Sequence, residues 1–199
     1  MADTKRYNAQ LDGAAFDTLA VRAGQQRTGE HEHGEAMFLT SSYVFGSAQE
    51  AAAIFAGDEP GNVYTRYTNP TVRNFEQRLA ALEGAEQCVA TSSGMAAIFS
   101  TILALLNPGD HIVSSRSIFG STNVMFQKYV SKLGIDVSYV SLTDLGEWKQ
   151  AVKENTKMLF LESPSNPMNE VADIKALASL CQSRDMLLVV DNCLCSPAL

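Results

Sequence analysis

The 199-residue sequence is short of positive charge and of long hydrophobic runs. It has 15 Lys and Arg residues against 22 Asp and Glu, and the resulting net charge of −7 argues against a surface that binds nucleic acid. The longest apolar stretch, 95–106, is interrupted by Ser100 and Thr101 and is too short to span a membrane. The N-terminus has no apolar core of a signal peptide, so neither secretion nor membrane insertion is expected.

The cysteines form no recognisable pattern. The four cysteines are Cys88, Cys181, Cys193 and Cys195. Their spacing matches neither a disulfide framework nor a redox Cys-x-x-Cys motif, so we expect reduced thiols in a cytoplasmic protein. His31 and His33 flank Glu32, but no third and fourth ligand stand at a fitting spacing, and no metal site is expected.

Residues 1–60 are mostly irregular, and we expect them to form an N-terminal arm that packs on another subunit. The pattern becomes regular after residue 60. Strands are predicted at 87–90, 111–114, 135–140, 158–161 and 186–190. Helices are predicted at 48–55, from 70 to just before Gly84, and at 94–106, 122–133, 144–153 and 173–184. This alternation is typical of an α/β fold with a parallel or mostly parallel sheet between helices.

The helix that begins at Pro70 has the clearest signals. Asn69 is a favourable N-cap, Pro70 suits the first helical position, and Gly84 ends the helix. Apolar residues recur at helical spacing and predict one buried face: Val72, Phe75, Leu79 and Leu82.

Ligands of open α/β sheets bind beyond the carboxyl ends of the strands, and two unusual segments lie at such positions. Ser93, Gly94 and Met95 begin an apolar helix whose free N–H groups suit a phosphate, although a plain Ser N-cap explains the same residues. Asp191 ends a buried apolar strand, where a carboxylate is costly unless it has a cationic partner. A protonated pyridine nitrogen is such a partner, and a loop-bonded Asp is the alternative.

Three further segments carry polar or aromatic side chains at loop positions. Asn166 precedes Pro167 and is therefore held extended, either to bond a ligand or to initiate a turn. Tyr64 and Arg66 lie in a non-helical loop and suit either phosphate recognition or an ordinary surface. Phe119 follows the second predicted strand, where it either stacks on a flat ligand or packs under a loop.

These segments occur in a characteristic order: Tyr64-x-Arg66-x-x-Asn69-Pro70-Thr71, Ser93-Gly94-Met95, Phe119-Gly120-x-Thr122, Glu162-x-Pro164-x-Asn166-Pro167 and Asp191-Asn192. Together they resemble the Cys/Met-metabolism family of pyridoxal-phosphate enzymes, over about residues 16–199. The resemblance implies an aspartate-aminotransferase-like fold (fold type I). Residues 61–199 are then an incomplete cofactor-binding large domain that follows the arm at 1–60.

The resemblance also implies how pyridoxal 5'-phosphate is held. The Ser93-Gly94-Met95 segment binds the phosphate through backbone N–H groups. Phe119 stacks on the pyridine ring, and Asp191 pairs with its nitrogen. Asn166 bonds the phenolic oxygen of the cofactor or the carboxylate of the substrate.

A homo-oligomer is implied as well, at least a dimer and by the family pattern a tetramer. Tyr64 and Arg66 reach the phosphate of the neighbouring subunit's cofactor. The lysine that binds the cofactor covalently comes after the Asp191 segment in this family, and Leu199 is reached first. We therefore expect no catalytic lysine within this chain, which by itself is expected to be inactive.

Within the family, segments 14–24, 40–45 and 191–195 are most similar to the sulfhydrylases. The resemblance implies that sulfide replaces the acyloxy group of an acylated homoserine and gives homocysteine for methionine biosynthesis. Many members have Tyr where Phe119 stands, and Phe cannot transfer a proton, which fits a sulfhydrylase better than a lyase. The alternatives are a cystathionine γ-synthase or γ-lyase, and a catalytically dead fragment or assembly module. A nucleotide-binding protein is disfavoured because no Gly-x-Gly-x-x-Gly follows a strand.

Overall fold

The computed structural model describes residues 11–198, which divide into two compact units between Ala90 and Thr91. The first ten residues, part of the expected arm, lie outside the described residues. The boundary expected near residue 60 stays a prediction. No helix within 11–198 is long and apolar enough to cross a membrane.

The described part of the first unit, from residue 11 onward, contains three α-helices: α1 (Phe16–Arg22), α2 (Ala48–Ala56) and α3 (Pro70–Glu83). The predictions of α2 and α3 are confirmed, but α1 was not predicted. It has only seven residues and no side-chain cap at Ala15, so its sequence signal is weak. Gly24 follows α1 with φ +77°, and a Cβ there would come within 2.6 Å of the Asn74 carbonyl oxygen. Only glycine permits this close passage beside α3.

Helix α3 begins and ends as predicted. The Asn69 side chain accepts the Thr71 N–H at 2.8 Å, and Gly84 ends the helix with φ +62°. The prediction of its buried face is wrong at the first two of its four positions, Val72 and Phe75. Phe75 is 57% exposed, whereas the buried residues of α3 are Gln77 and Ala80. Periodicity identified an apolar stripe of which Val72 and Phe75 are exposed and Leu79 and Leu82 are partly buried.

The strand predicted at 87–90 is also absent from the structure. A strand requires a neighbouring strand to pair with, and this segment pairs with no strand among the described residues. The Ala90 N–H bonds instead to the Glu76 carboxylate at 2.8 Å, and Val89 is exposed.

The second unit is built on four parallel strands. They are β1 (His111–Ser115), β2 (Asp136–Val140), β3 (Thr156–Glu162) and β4 (Leu187–Asp191). Their order is β2-β1-β3-β4, which confirms the predicted parallel sheet. The chain turns to one side of β1 to form β2 and then crosses to the other side to form β3. The switch point between β1 and β3 is where such sheets bind ligands, beyond the carboxyl ends of the strands.

Helices cover both faces of this sheet, as predicted. They are α4 (Gly94–Leu105), α5 (Gly120–Met125, extended by a π turn at Phe126–Val130 and a 3-10 turn at Ser131–Leu133), α6 (Leu145–Ala151) and α7 (Ile174–Gln182). Successive residues of β1 and β3 point to opposite faces, so Ile112, Met158 and Phe160 join the core with α4 and α5. Val113, Leu159 and Leu161 join the second core with α6 and α7.

Candidate functional site

Two carboxylates lie side by side at the carboxyl edge of the sheet. Glu162 ends β3, Asp191 ends β4, and the two are direct register partners. The Asp191 carboxylate accepts the Cys193 N–H at 3.2 Å, and its carbonyl accepts the Ser163 N–H at 3.1 Å. Asp191 is only partly buried, so its carboxylate keeps capacity for a cationic partner.

The start of α4 offers unpaired N–H groups. Ser93 is the N-cap, and its hydroxyl accepts the Ala96 N–H at 3.1 Å. The N–H groups of Gly94 and Met95 have no acceptor within residues 11–198. A Cβ built on Gly94 would meet no atom within 4 Å beyond its chain neighbours and its own helix backbone, so the space beside Gly94 is open. The Ser cap and the anion site are therefore compatible with each other.

Phe119 lies directly before α5, and its ring is 46% exposed. It lines an apolar cavity of about 790 Å³ together with Met95, Val124 and Tyr129. The Thr122 hydroxyl lies 3.7 Å from the Met95 sulfur and joins α5 to α4. The structure thus brings the α4 N-terminus and Phe119 together at one cavity, and Phe119 is not packed away under a loop.

Glu162 was quoted in the sequence only as part of a motif, without a role. It is 1% exposed, and its Oε2 accepts the Phe119 N–H at 2.5 Å. Burial raises the pKa of Glu162, the Phe119 N–H lowers it, and the negative charge of Asp191 raises it further. The argument that singled out Asp191, an acid at the end of an apolar strand, applies equally to Glu162 and could have identified it.

Asn166 lies in the loop after β3 and is exposed. Its side-chain amide makes no hydrogen bond within residues 11–198 and is available to a ligand. The loop is held at Ser165, whose hydroxyl accepts the Glu170 N–H at 3.1 Å. Glu170 in turn accepts a 2.7 Å hydrogen bond from the Ser117 hydroxyl, which ties the loop to the segment after β1.

Tyr64 and Arg66 belong to the first unit. The Arg66 guanidinium lies 5.1 Å from the Tyr64 ring centroid and 5.7 Å from that of Tyr67. Asn69 anchors their loop, since its Nδ2 donates to the Phe38 carbonyl at 3.0 Å. Arg66 forms no ion pair with any residue from 11 to 198, so its charge is available to an anion.

The side chains of Glu32 and His33 in the His31-Glu32-His33 segment form hydrogen bonds with other protein residues. Glu32 accepts the Thr28 N–H at 2.8 Å and the Thr28 hydroxyl at 2.7 Å, and His33 contacts Arg22. Within the described part of the chain, no three His, Cys, Asp or Glu side chains are grouped to hold a metal ion. All four cysteines are unpaired.

The residues of the second unit fit pyridoxal phosphate. The cofactor has an anionic phosphate, a flat ring and a basic ring nitrogen. Two open N–H groups at a helix start suit the phosphate, a half-exposed phenyl ring suits the flat face, and a carboxylate at a strand end suits the nitrogen.

Comparison with known proteins agrees with this chemistry. The family model described as "Cys/Met metabolism PLP-dependent enzyme" matches residues 17–199. The O-succinylhomoserine sulfhydrylase of Pseudomonas aeruginosa is 61% identical over 197 residues, which cover 99% of this chain and 49% of that protein. The O-succinylhomoserine sulfhydrylase of Mycobacterium tuberculosis is 44% identical over 94% of this chain and 46% of its own length.

Among solved structures, an O-acetylhomoserine (thiol)-lyase of Campylobacter jejuni carries a pyridoxyl-lysine phosphate and is 30% identical to this chain. It superposes with a TM-score of 0.87 over 92% of this chain and 45% of that one. The likeness confirms the fold type I architecture that the motifs implied. The chain spans about half the length of the relatives it matches. The matched motifs, the fold and the family model together show that this chain belongs to the Cys/Met-metabolism family of pyridoxal-phosphate-dependent enzymes.

Proposed function

We propose that the protein to which this chain belongs replaces the acyloxy group of O-succinylhomoserine with sulfide. The Cγ–O bond breaks and releases succinate, and a Cγ–S bond forms to give homocysteine for methionine biosynthesis. The 61% identity with a sulfhydrylase over nearly the whole chain supports this assignment. The observation that carries it is the half-exposed phenyl ring of Phe119 at the switch point, beside Met95.

The chain's own residues bind and orient the cofactor in this proposal. The N–H groups of Gly94 and Met95 hold the phosphate, and Phe119 supports one face of the ring. Asp191 keeps a proton on the ring nitrogen by pairing with its positive charge. Bound pyridoxal phosphate supplies an electron sink for the negative charge that develops beside the substrate amine. Asn166 bonds the phenolic oxygen of the cofactor or the substrate carboxylate.

Tyr64 and Arg66 complete the site from a neighbouring subunit. The exposed Arg66, which lies over two tyrosine rings and lacks an acidic partner among residues 11–198, supports such a role. The protein is then a homo-oligomer, which we propose to be a tetramer in the cytoplasm.

Phe119 favours sulfide as the incoming thiol. Sulfide is substantially ionised near neutral pH, whereas the thiol of cysteine titrates near 8.5 and gains more from a nearby base. A phenyl ring keeps the stacking area of tyrosine but removes the oxygen that transfers protons.

Product analysis tests the proposal. The intact protein, loaded with pyridoxal phosphate, is incubated with O-succinylhomoserine with and without sulfide. We expect equal amounts of homocysteine and succinate, formed only when sulfide is present. Release of 2-oxobutanoate and ammonia at the same rate without sulfide would instead indicate a γ-lyase. Tight cofactor binding with no turnover of any homoserine ester would indicate an assembly module.

A further inference from the structure

Glu162 connects three segments that carry the residues of the candidate site. Its Oε2 accepts the N–H of Phe119 after β1, and its backbone pairs in register with Asp191 on β4. Its Oε1 lies 3.9 Å from the sulfur of Cys193, in the loop that follows β4. Glu162 thus links the loop after β1 to the end of β4 across the switch point.

We propose that Glu162 is a positioning residue for the cofactor ring, because its buried carboxylate fixes the Phe119 backbone and so sets where the stacking ring lies relative to Asp191. The proposal rests on the roles proposed for Phe119 and Asp191. It does not depend on which thiol the enzyme uses.

Burying this carboxylate costs free energy, which indicates that it has a function. The side chain is 1% exposed, follows the buried residues Phe160 and Leu161, and lies beside the charge of Asp191. Burial and the charge of Asp191 raise the pKa of Glu162, whereas the N–H groups of Phe119 and Asn166 lower it; the pKa remains raised, so burial of this carboxylate is unfavourable. An apolar side chain of similar volume often costs less than such a buried charge. An apolar side chain, however, provides no acceptor for the Phe119 N–H.

Three substitutions separate this role from simple packing. Glu162→Gln keeps an oxygen acceptor at the same distance, whereas Glu162→Leu fills the space without an acceptor. Thr156→Val is the matched control. It removes a buried hydroxyl from the first residue of β3, the opposite end of the same strand, where it accepts the Lys153 N–H at 2.7 Å.

Two readouts need no turnover. The first is hydrogen–deuterium exchange, in the cofactor-free protein, of the peptide that contains Phe119. We expect protection in the wild type, Glu162→Gln and Thr156→Val, and faster exchange in Glu162→Leu. The second is the Kd for pyridoxal phosphate. We expect it to rise at least about tenfold in Glu162→Leu and to stay within about threefold in Glu162→Gln, as loss of one buried acceptor predicts.

Equal loss of affinity in Glu162→Gln and Glu162→Leu would overturn the proposal, because charge rather than the hydrogen bond would then matter. Unchanged affinity in Glu162→Leu would overturn it as well. If Glu162→Leu does not fold, Glu162→Asp replaces it, since the shorter side chain withdraws the acceptor from Phe119. If the variants show the expected exchange and affinity but the wild type makes no homocysteine, the sulfhydrylase assignment is wrong. The role of Glu162 in positioning the ring is then still supported.

Discussion

Glu162 and Asp191 are adjacent register partners at the ends of β3 and β4, yet their carboxylates have different surroundings. Glu162 is almost fully buried and its carboxylate accepts the N–H of Phe119, whereas Asp191 is partly exposed and its carboxylate accepts the N–H of Cys193. One carboxylate therefore supports the framework of the site, and the other remains available to a ligand.

Asp191→Asn should abolish most of the activity, because a neutral amide no longer stabilises a proton on the ring nitrogen. We expect kcat/KM to fall on the order of 100-fold or more, as for loss of one preorganised electrostatic partner. Asp173→Asn is the control. Asp173 caps α7 by accepting the Ala176 N–H at 2.9 Å, and Asn caps helices equally well. A comparable loss in both variants would show that the effect is not specific to the ring nitrogen.

Gly94→Ala should weaken cofactor binding without weakening the fold. The added methyl group meets no atom within 4 Å beyond its chain neighbours and its own helix backbone, and it enters the open space at the N-terminus of α4 where we propose that the phosphate binds. Because Ala favours helix more than Gly, the free energy of unfolding should be unchanged or higher by up to about 1 kcal/mol. The Kd for pyridoxal phosphate should rise, while that for pyridoxal, which lacks the phosphate, should not. Equal weakening of both ligands would argue against a phosphate site at Gly94.

Arg66→Ala should be rescued by a complementary subunit. Arg66→Ala and Asp191→Asn are each expected to be inactive. In a mixed dimer one site has an intact Asp191 and receives Arg66 from its neighbour, so random mixing should restore about a quarter of the wild-type activity. Each variant incubated alone under the same subunit-exchange conditions is the control. No recovery after verified exchange would mean that Arg66 serves its own chain or does not act on the phosphate.

The free energy of unfolding should fall in mild acid because of His111. This residue begins β1, at the end of the strand away from the candidate site. Its ring nitrogens lie 2.8 Å from the Thr156 and Ser138 hydroxyls, and the side chain is fully buried. Burial lowers the pKa of His111 below its ordinary value of 6.5, the charge of Lys153 lowers it further, and Asp136 opposes this. The unfolded chain therefore takes up a proton first as the pH falls below 6.5. This contribution is fully present above that pH and is lost below it.

Urea unfolding between about pH 7.5 and about pH 5.5 measures this slope, to which one such histidine adds at most about 1.4 kcal/mol per pH unit. His111→Gln should flatten the slope, and His31→Gln, in an exposed loop, should not. The same slope in His111→Gln and the wild type would contradict the prediction.

The sequence was sufficient for features that local chemistry decides. Asn69, Pro70 and Gly84 fix the ends of α3, and the apolar strands place Asp191 at a strand end. Prediction from the sequence failed for features that depend on contacts between residues far apart in the chain. The segment at 87–90 has strand composition but pairs with no strand within residues 11–198. Helix α3 buries Gln77, whereas Val72 and Phe75 of its apolar stripe are exposed.

The same limit applies to the candidate site. Motif order identified Phe119, Asn166 and Asp191, but it did not reveal that Phe119 is held by Glu162, 43 positions along the chain. That contact depends on β1 and β3 being neighbours, and strand order cannot be read from periodicity.

The sulfhydrylase assignment is tested most directly by the kcat/KM of the intact enzyme for sulfide and for cysteine, with O-succinylhomoserine as donor. We predict a preference for sulfide of at least about tenfold, because it needs less help from a protein base, and a smaller preference in Phe119→Tyr, which restores a phenolic oxygen. Equal or faster turnover with cysteine in the wild type would contradict the account and identify a cystathionine γ-synthase instead.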